Sequence, residues 1–242
     1  AWVSGRLIPT FGWKATFYAT GLVPLILAIP ALLVTREKPL TGVKVAKKSA
    51  IKNDLFAQII KSPVTWTLVG ILLANTWIGQ SVTVDMPIYA KFLNYSDEQR
   101  GSLMLIISLL TVVSSIAAGG FSDYVASRSA SPLKARTRIL AAGYLVSLVA
   151  AIALPILAPR HFGGIAVTAS LLMIGASWAQ GVFWALPSEV YTQEENVVAT
   201  SICSGASNLV NPVAPFVVGI LLGSNGAWTA AWLTCSIMAG IS

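Results

Sequence analysis

The sequence predicts an all-α protein, a polytopic helical bundle built to sit in a membrane. Three observations carry that expectation. Hydrophobic residues make up 55% of the 242-residue chain and charged residues 10%, with a mean hydropathy of +0.75, a balance outside that of soluble domains. Uncharged runs long enough to cross a bilayer recur along the chain, the hydrocarbon core being about 30 Å thick and a spanning helix needing about 20 apolar residues. These runs do not alternate apolar and polar residues as the strands of a membrane β-barrel would, "LVPLILAIPALLV" at 22–34 being apolar throughout.

The elements follow in order. Residue 1 already lies in an apolar segment with no initiating methionine, so the sequence reads as part of a longer chain. A first full span at 15–35 runs into the basic stretch "TREKPLTGVKVAKKSAIKND" at 35–54, and the region 36–61 reads as a loop. Spans follow at 62–84, 101–122, 139–159 and 162–188. The last uncharged stretch, 196–242, is too long for one crossing. Its "GSNGAW" at 223–228 reads as a turn, which divides the stretch into one full span and one truncated span.

Lys and Arg fix the orientation, because cytoplasmic loops hold an excess of them. With 36–61 inside, alternation places 123–138 and 189–195 inside and 91–100 and 160–163 outside. The inside loops then hold Arg36, Lys38, Lys44, Lys47, Lys48, Lys52, Lys61, Arg128, Lys134, Arg136 and Arg138, against Lys14, Lys91, Arg100 and Arg160 outside. The acidic loop "SEVYTQEEN" at 188–196 weighs little in this rule.

Several functions are excluded on the same grounds. The net charge of +7 belongs to cytoplasmic loops resting near anionic lipid and carries no nucleic-acid reading. "GVKVAKKS" at 42–49 lacks the second glycine of a phosphate-binding loop, and no nucleophile is paired with a base, so no enzyme, no cofactor and no catalytic residue is expected. The lone His161 has no partners for a metal site. Cys203 and Cys235 sit in different spans and read as small apolar packers.

Polar residues inside spans mark a pathway, because unsatisfied groups in lipid are costly and face the bundle or a cavity. Ser204, Asn208, Asn211 and Pro215 share one helix face. In the preceding span Ser177, Gly181, Trp184 and Ser188 share another, with Gln180 adjacent, and the span at 62–84 offers Asn75, Thr76, Gln80 and Thr83. A kinked helix whose asparagines bond its neighbours explains the "NPVAP" segment equally well. Asp85, beside Met86 and Pro87, is the acid nearest the membrane interior; it reads as an interfacial cap, with proton binding as the other option.

In "GGFSDYVASR" at 119–128, Gly119 and Gly120 permit close helix approach, and Asp123 falls at a helix C-terminus, where a negative charge opposes the macrodipole. Such an acid needs a cation, and a contact made in one conformation alone would be a gate. Arg128, Arg136 and Glu189 are its candidate partners.

An internal repeat sets the organisation. "GRLIPTFGWKATF" from Gly5 resembles "GILLGSNGAWTAAW" from Gly219, and an even number of spans separates the copies, as in parallel transporter repeats. On these features the sequence resembles the major facilitator superfamily, whose two six-helix halves are joined by a long cytoplasmic loop. Gly119 and Asp123 match the family's loop signature, while Tyr124, Ala126 and Ser127 depart from its Arg, Gly and first basic position. The resemblance implies that 1–35 ends a first half, that 36–61 is the inter-half loop and that 62–242 is most of a second half.

"MPIYAKFL", "KARTR", "FWALPSEV" and "SNLVNPVAPFVVGILL" look most like the anion:cation symporter group. Trp184 matches that group's substrate tryptophan; Ser204 occupies the register of its asparagine, with Asn208 one turn on. The resemblance implies proton-coupled uptake of a small organic anion through a plasma or inner membrane, with a proton or other cation as coupling partner. The implied substrate face is Asn75, Gln80, Gln180, Trp184, Ser204, Asn208 and Asn211. A facilitator or exporter of neutral or cationic compounds, and a non-transporting scaffold or sensor, are the alternatives.

Overall fold

The computed structural model describes residues 2–34, 53–225 and 228–241, which are helical apart from short turns and linkers. No strand occurs among them, as the apolar runs require. The chain divides into two compact units, 1–52 and 53–242, taken one at a time.

The first unit holds α1, Trp2–Val34, interrupted at Gly12 (φ 76°, ψ 167°), a backbone region open to glycine and closed to residues with a Cβ. The first copy of the sequence repeat, "GRLIPTFGWKATF", thus carries a break within α1. Thr16 Oγ1 donates to Gly12 O at 3.1 Å and Thr20 Oγ1 to Thr16 O at 2.9 Å, closing the helix after the break.

The second unit begins with α2, Asn53–Lys61. The rest of the region read as a loop, 36–52, lies outside the described residues, but its last part is helix. Leu55 and Ile59 share a face that packs on Val198 and Ala199, while Asp54 and Lys61 complement the helix dipole at the two ends. Next come α3 (Pro63–Gln80), a π turn (Ser81–Asp85) and α4 (Met86–Phe92), which form one membrane-length rod; then α5 (Asp97–Ser127), α6 (Pro132–Leu157), α7 (Phe162–Phe183), α8 (Leu186–Val190), α9 (Gln193–Asn225) and α10 (Trp228–Ile241). Among the described residues five helical segments are long and apolar enough to cross a membrane: Pro63–Phe92, Asp97–Ser127, Pro132–Leu157, Phe162–Val190 and Gln193–Leu222.

Local chemistry explains the helix starts. Pro63 and Pro132 open their helices, where a missing N–H costs nothing. Ser96 and Gln99 form a reciprocal capping box, each side chain accepting from the other's backbone N–H. His161 caps α7, its Nδ1 accepting from Gly164 N at 2.8 Å, which places the lone histidine in a structural role. The charged residues read as loop at 97–100, 123, 134–138 and 194–195 belong to helix ends, so the connecting turns are shorter than the hydropathy pattern implied.

α7 is the centre of this unit. A Cβ at Gly175 would lie 2.4 Å from Gly143 O and from Ser147 Oγ, and one at Gly181 would lie 2.7 Å from Ser115 O; α6 and α5 close on α7 through these positions. Polar side chains then bond the backbones of neighbouring helices: Ser147 to Leu172 O (2.9 Å), Ser114 to Ile174 O (3.2 Å) and Tyr144 to Ile71 O (2.7 Å). Outward positions such as Val113, Ile116, Leu145 and Phe216 are exposed and apolar, a surface suited to lipid.

Candidate functional site

Two polar constellations occupy different levels of the second unit. At the level of the α5–α6 turn, Arg136 of α6 gathers both candidate acids. Its Nη1 donates to Asp123 Oδ1 at 2.8 Å and to Ser122 Oγ at 3.1 Å, and its Nε donates to Glu189 Oε1 at 3.2 Å. Asp123 is there because α5 runs on to Ser127, and Glu189 because α7 breaks at Trp184 and restarts as α8, with Pro187 in its first turn. The Arg136 side chain is 12% exposed, against 29% for the Glu189 side chain and 70% for that of Asp123. Arg128 takes neither acid: its guanidinium stacks 4.1 Å over the Tyr124 ring and bonds the Tyr124 hydroxyl. The family motif's departure at 124 thus has a local effect, since a tyrosine follows Asp123 and holds the arginine that the spacing offered as a partner.

The second constellation crosses from α3 to α9. Gln80 Nε2 donates to Asn211 Oδ1 at 2.8 Å, Asn211 Nδ2 to Asn208 Oδ1 at 3.1 Å, and Asn208 Nδ2 to Ser204 O at 2.9 Å. Four of the seven expected substrate residues form this one ladder. Pro212 and Pro215 lie beside it inside α9, where each removes a helix N–H. Gln180 is exposed, and Trp184, half-exposed at the C-cap of α7, rests edge-on against Phe183 with ring centroids 5.3 Å apart. Asn75 is different. It is buried and donates to Ala176 O at 2.6 Å, so its amide binds α3 to α7.

Asp85 departs from the interfacial cap its sequence position indicated. It stands at the N-cap of α4 but caps nothing with its side chain, and it is 5% exposed. The π turn that holds it was not expected from the sequence. The available signal was Pro87 inside an otherwise spanning run: proline has no N–H and its ring crowds the carbonyl four residues back, so the helix widens ahead of it. The Met86 N–H accordingly reaches back to Ser81 O. Cys203 and Cys235 are buried free thiols, as their positions implied.

The arrangement offers neutral amide donors across α3 and α9 at one level and a charge-clamped helix junction at another, with Trp184 at the α7 break beside that junction. Among the described residues no cluster of His, Cys, Asp and Glu could hold a metal ion. No curated protein matches the chain. The model of one family, the Major Facilitator Superfamily, matches residues 1–197. An all-helical chain with membrane-length spans, matched over most of its length by that model, belongs to the major facilitator superfamily.

Proposed function

We propose that this chain is the end of the first half and most of the second half of a carrier that moves a small organic anion inward by alternating access, coupled to a proton or another cation. Membership of the family makes it part of a transporter of small molecules in a bilayer; the substrate class and the coupling are our reading. The observation that carries it is the ladder Gln80–Asn211–Asn208–Ser204, which sets carboxamides across two helices with no charged side chain among them. Each carboxamide N–H₂ has two hydrogens and uses one within the ladder, leaving a donor for a carboxylate or hydroxyl. Trp184 and Gln180 would wall the same ligand, and the charge that holds the carboxylate would come from the other half of the carrier. Arg136, Asp123 and Glu189 would set the bend between α7 and α8 and act as the gate at the end expected to face the cytoplasm, along with loops 36–61, 123–138 and 189–195.

The test is uptake of labelled hexuronate, aldarate and aromatic acids into proteoliposomes holding the complete carrier, with and without an imposed pH gradient. Accumulation of one of them under the gradient is the expected result. Accumulation of a neutral or cationic compound in place of every anion would make the chain part of a facilitator or exporter. Movement of nothing in a folded, inserted protein would favour a scaffold.

A further inference from the structure

The Asp85 carboxylate plays no part in the amide ladder or in the Arg136 clamp, yet it is the most unusual group in the unit. It lies about 10 Å inside the end of the Pro63–Phe92 rod, seven residues from Phe92 at about 1.5 Å per residue. Its Oδ2 is buried without a hydrogen-bond partner among the described residues. A carboxylate oxygen enclosed in a membrane bundle without a donor is costly, and acids in such places are paired or functional.

Among the described residues no ion pair forms on Asp85: Lys91 lies further along the rod, and Arg100 of α5 bonds Asp97. The π turn packs against α9, whose acids Glu194 and Glu195 sit in its first turn and which carries no charged side chain beyond them; the nearby side chain from α9 is Asn211, which bonds Gln80. From α10 the buried Cys235 thiol is the neighbouring group. On the rod itself the neighbouring ionisable group is Tyr89, whose ring lies against Trp228 and Trp232, with centroids at 4.9 Å and 5.5 Å. Ser81 Oγ, Trp232 Nε1 and Ser236 Oγ are also buried and unpartnered, so with Asp85 Oδ2 this stretch of the rod and α10 hold four of the six such side-chain atoms among the described residues, the others being Arg100 Nε and Ser170 Oγ. The backbone adds to them, since Pro87 has no N–H to return to the preceding turn.

Acidic oxygen, hydroxyl and backbone carbonyl at an irregular turn inside a span are the ligand chemistry of a small cation. We propose that Asp85, with Ser81 and the backbone of the π turn, binds the coupling cation of the carrier, a proton or Na⁺. Occupation by a proton forms one O–H bond on the carboxylate and breaks one in the hydronium ion that delivers it, releasing water; occupation by Na⁺ replaces water on the ion with the same oxygens. That the bound cation is the coupling ion rests on the transport reading above; that a cation binds there does not.

Two measurements test the site. The first needs no substrate: the complete carrier in lipid nanodiscs is treated with N,N′-dicyclohexylcarbodiimide, which enters membranes and modifies protonated buried carboxyls, and modification of residue 85 is read by peptide mass. A fall of about tenfold or more between about pH 6 and about pH 9 identifies a proton site, and a similar fall when Na⁺ replaces choline at fixed pH identifies sodium. Modification that is absent, or indifferent to both, overturns the proposal. The second uses the complete carrier in proteoliposomes with labelled hexuronate. Asp85→Asn is expected to keep exchange of internal for external substrate within about twofold while gradient-driven accumulation falls about tenfold or more, and Asp85→Glu is expected to restore part of it. Asp85→Asn accumulating substrate like the wild type overturns the proposal; should that variant fail to insert, the carbodiimide result on the wild type decides. If no organic anion moves but modification at 85 still follows the cation, the anion reading fails and the cation site stands.

Discussion

Replacing Glu189 by glutamine should damage the carrier more than replacing Asp123 by asparagine, although Asp123 is the residue that matches the family's loop signature. Both acids bond the same guanidinium, at 3.2 Å and 2.8 Å respectively, so distance alone would favour Asp123. Exposure reverses the order. Asp123 is 70% exposed, and an ion pair in that setting is screened by water and contributes about 0.2–1 kcal/mol. Glu189 is 29% exposed against an arginine that is 12% exposed, which brings it nearer the about 1.5–3 kcal/mol of hydrogen bonds to charged groups in protein surroundings. At about 1.4 kcal/mol per tenfold, the first loss shifts an equilibrium up to about fivefold and the second about 10-fold to about 150-fold. The quantity to measure is the open fraction at this end, read as the alkylation rate of a cysteine placed at Ser188 in a background with Cys203 and Cys235 replaced. Arg136→Gln should equal or exceed Glu189→Gln, and the double substitution Arg136→Gln/Glu189→Gln should add little to Arg136→Gln alone. If Asp123→Asn speeds alkylation more than Glu189→Gln does, the argument from burial is wrong and the exposed acid controls the junction.

Other outcomes follow from the same geometry. Gly175→Ala places a methyl 2.4 Å from Gly143 O and should force α6 and α7 apart at a cost of about 1–3 kcal/mol, lowering the thermal unfolding midpoint in detergent; an unchanged midpoint would show that the contact yields freely. Asn208→Ala and Trp184→Ala should weaken binding of the transported anion, measured by equilibrium dialysis, while leaving cation entry through the carrier intact. Asn75→Ala, in contrast, should lower stability by about 0.5–1.5 kcal/mol by removing the hydrogen bond that ties α3 to α7, with little effect on affinity in the protein that folds. A cysteine in place of Lys44 should resist an impermeant thiol reagent added outside intact cells, and strong external labelling would overturn the orientation drawn from the basic residues.

The spans were legible because crossing a bilayer demands length and apolarity, two properties that survive in a linear sequence. Their ends were less so. Hydropathy stops at the first charge, but Asp97, Asp123 and Arg136 continue their helices beyond the apolar run, and for the same reason α2 read as loop. α8 was hidden inside the run 162–188, since nothing in hydropathy separates a continuous helix from one that breaks at Trp184. The asparagine face at 204–211 was visible through its helical spacing, but its coupling to Gln80 depends on how α3 lies against α9. Arg136 and Glu189 were visible as charges near Asp123. That Arg136 takes both acids while Tyr124 removes Arg128 is a consequence of packing that spacing does not encode.

The π turn at Ser81–Asp85 amounts to one surplus residue in the rod. Every position beyond it sits where its predecessor would sit in a regular helix, an offset of about 100° about the axis. If the turn tightened to regular pitch with the chain unchanged, Ile88, now half-exposed, would swing into the place Tyr89 holds against Trp228 and Trp232, and Tyr89 would leave the aromatic stack. A rod that can wind and unwind by one residue beside a buried acid is a rotary joint: its far end can change which side chains it shows to α10 while the near end, anchored through Asn75 and Gln80, stays still.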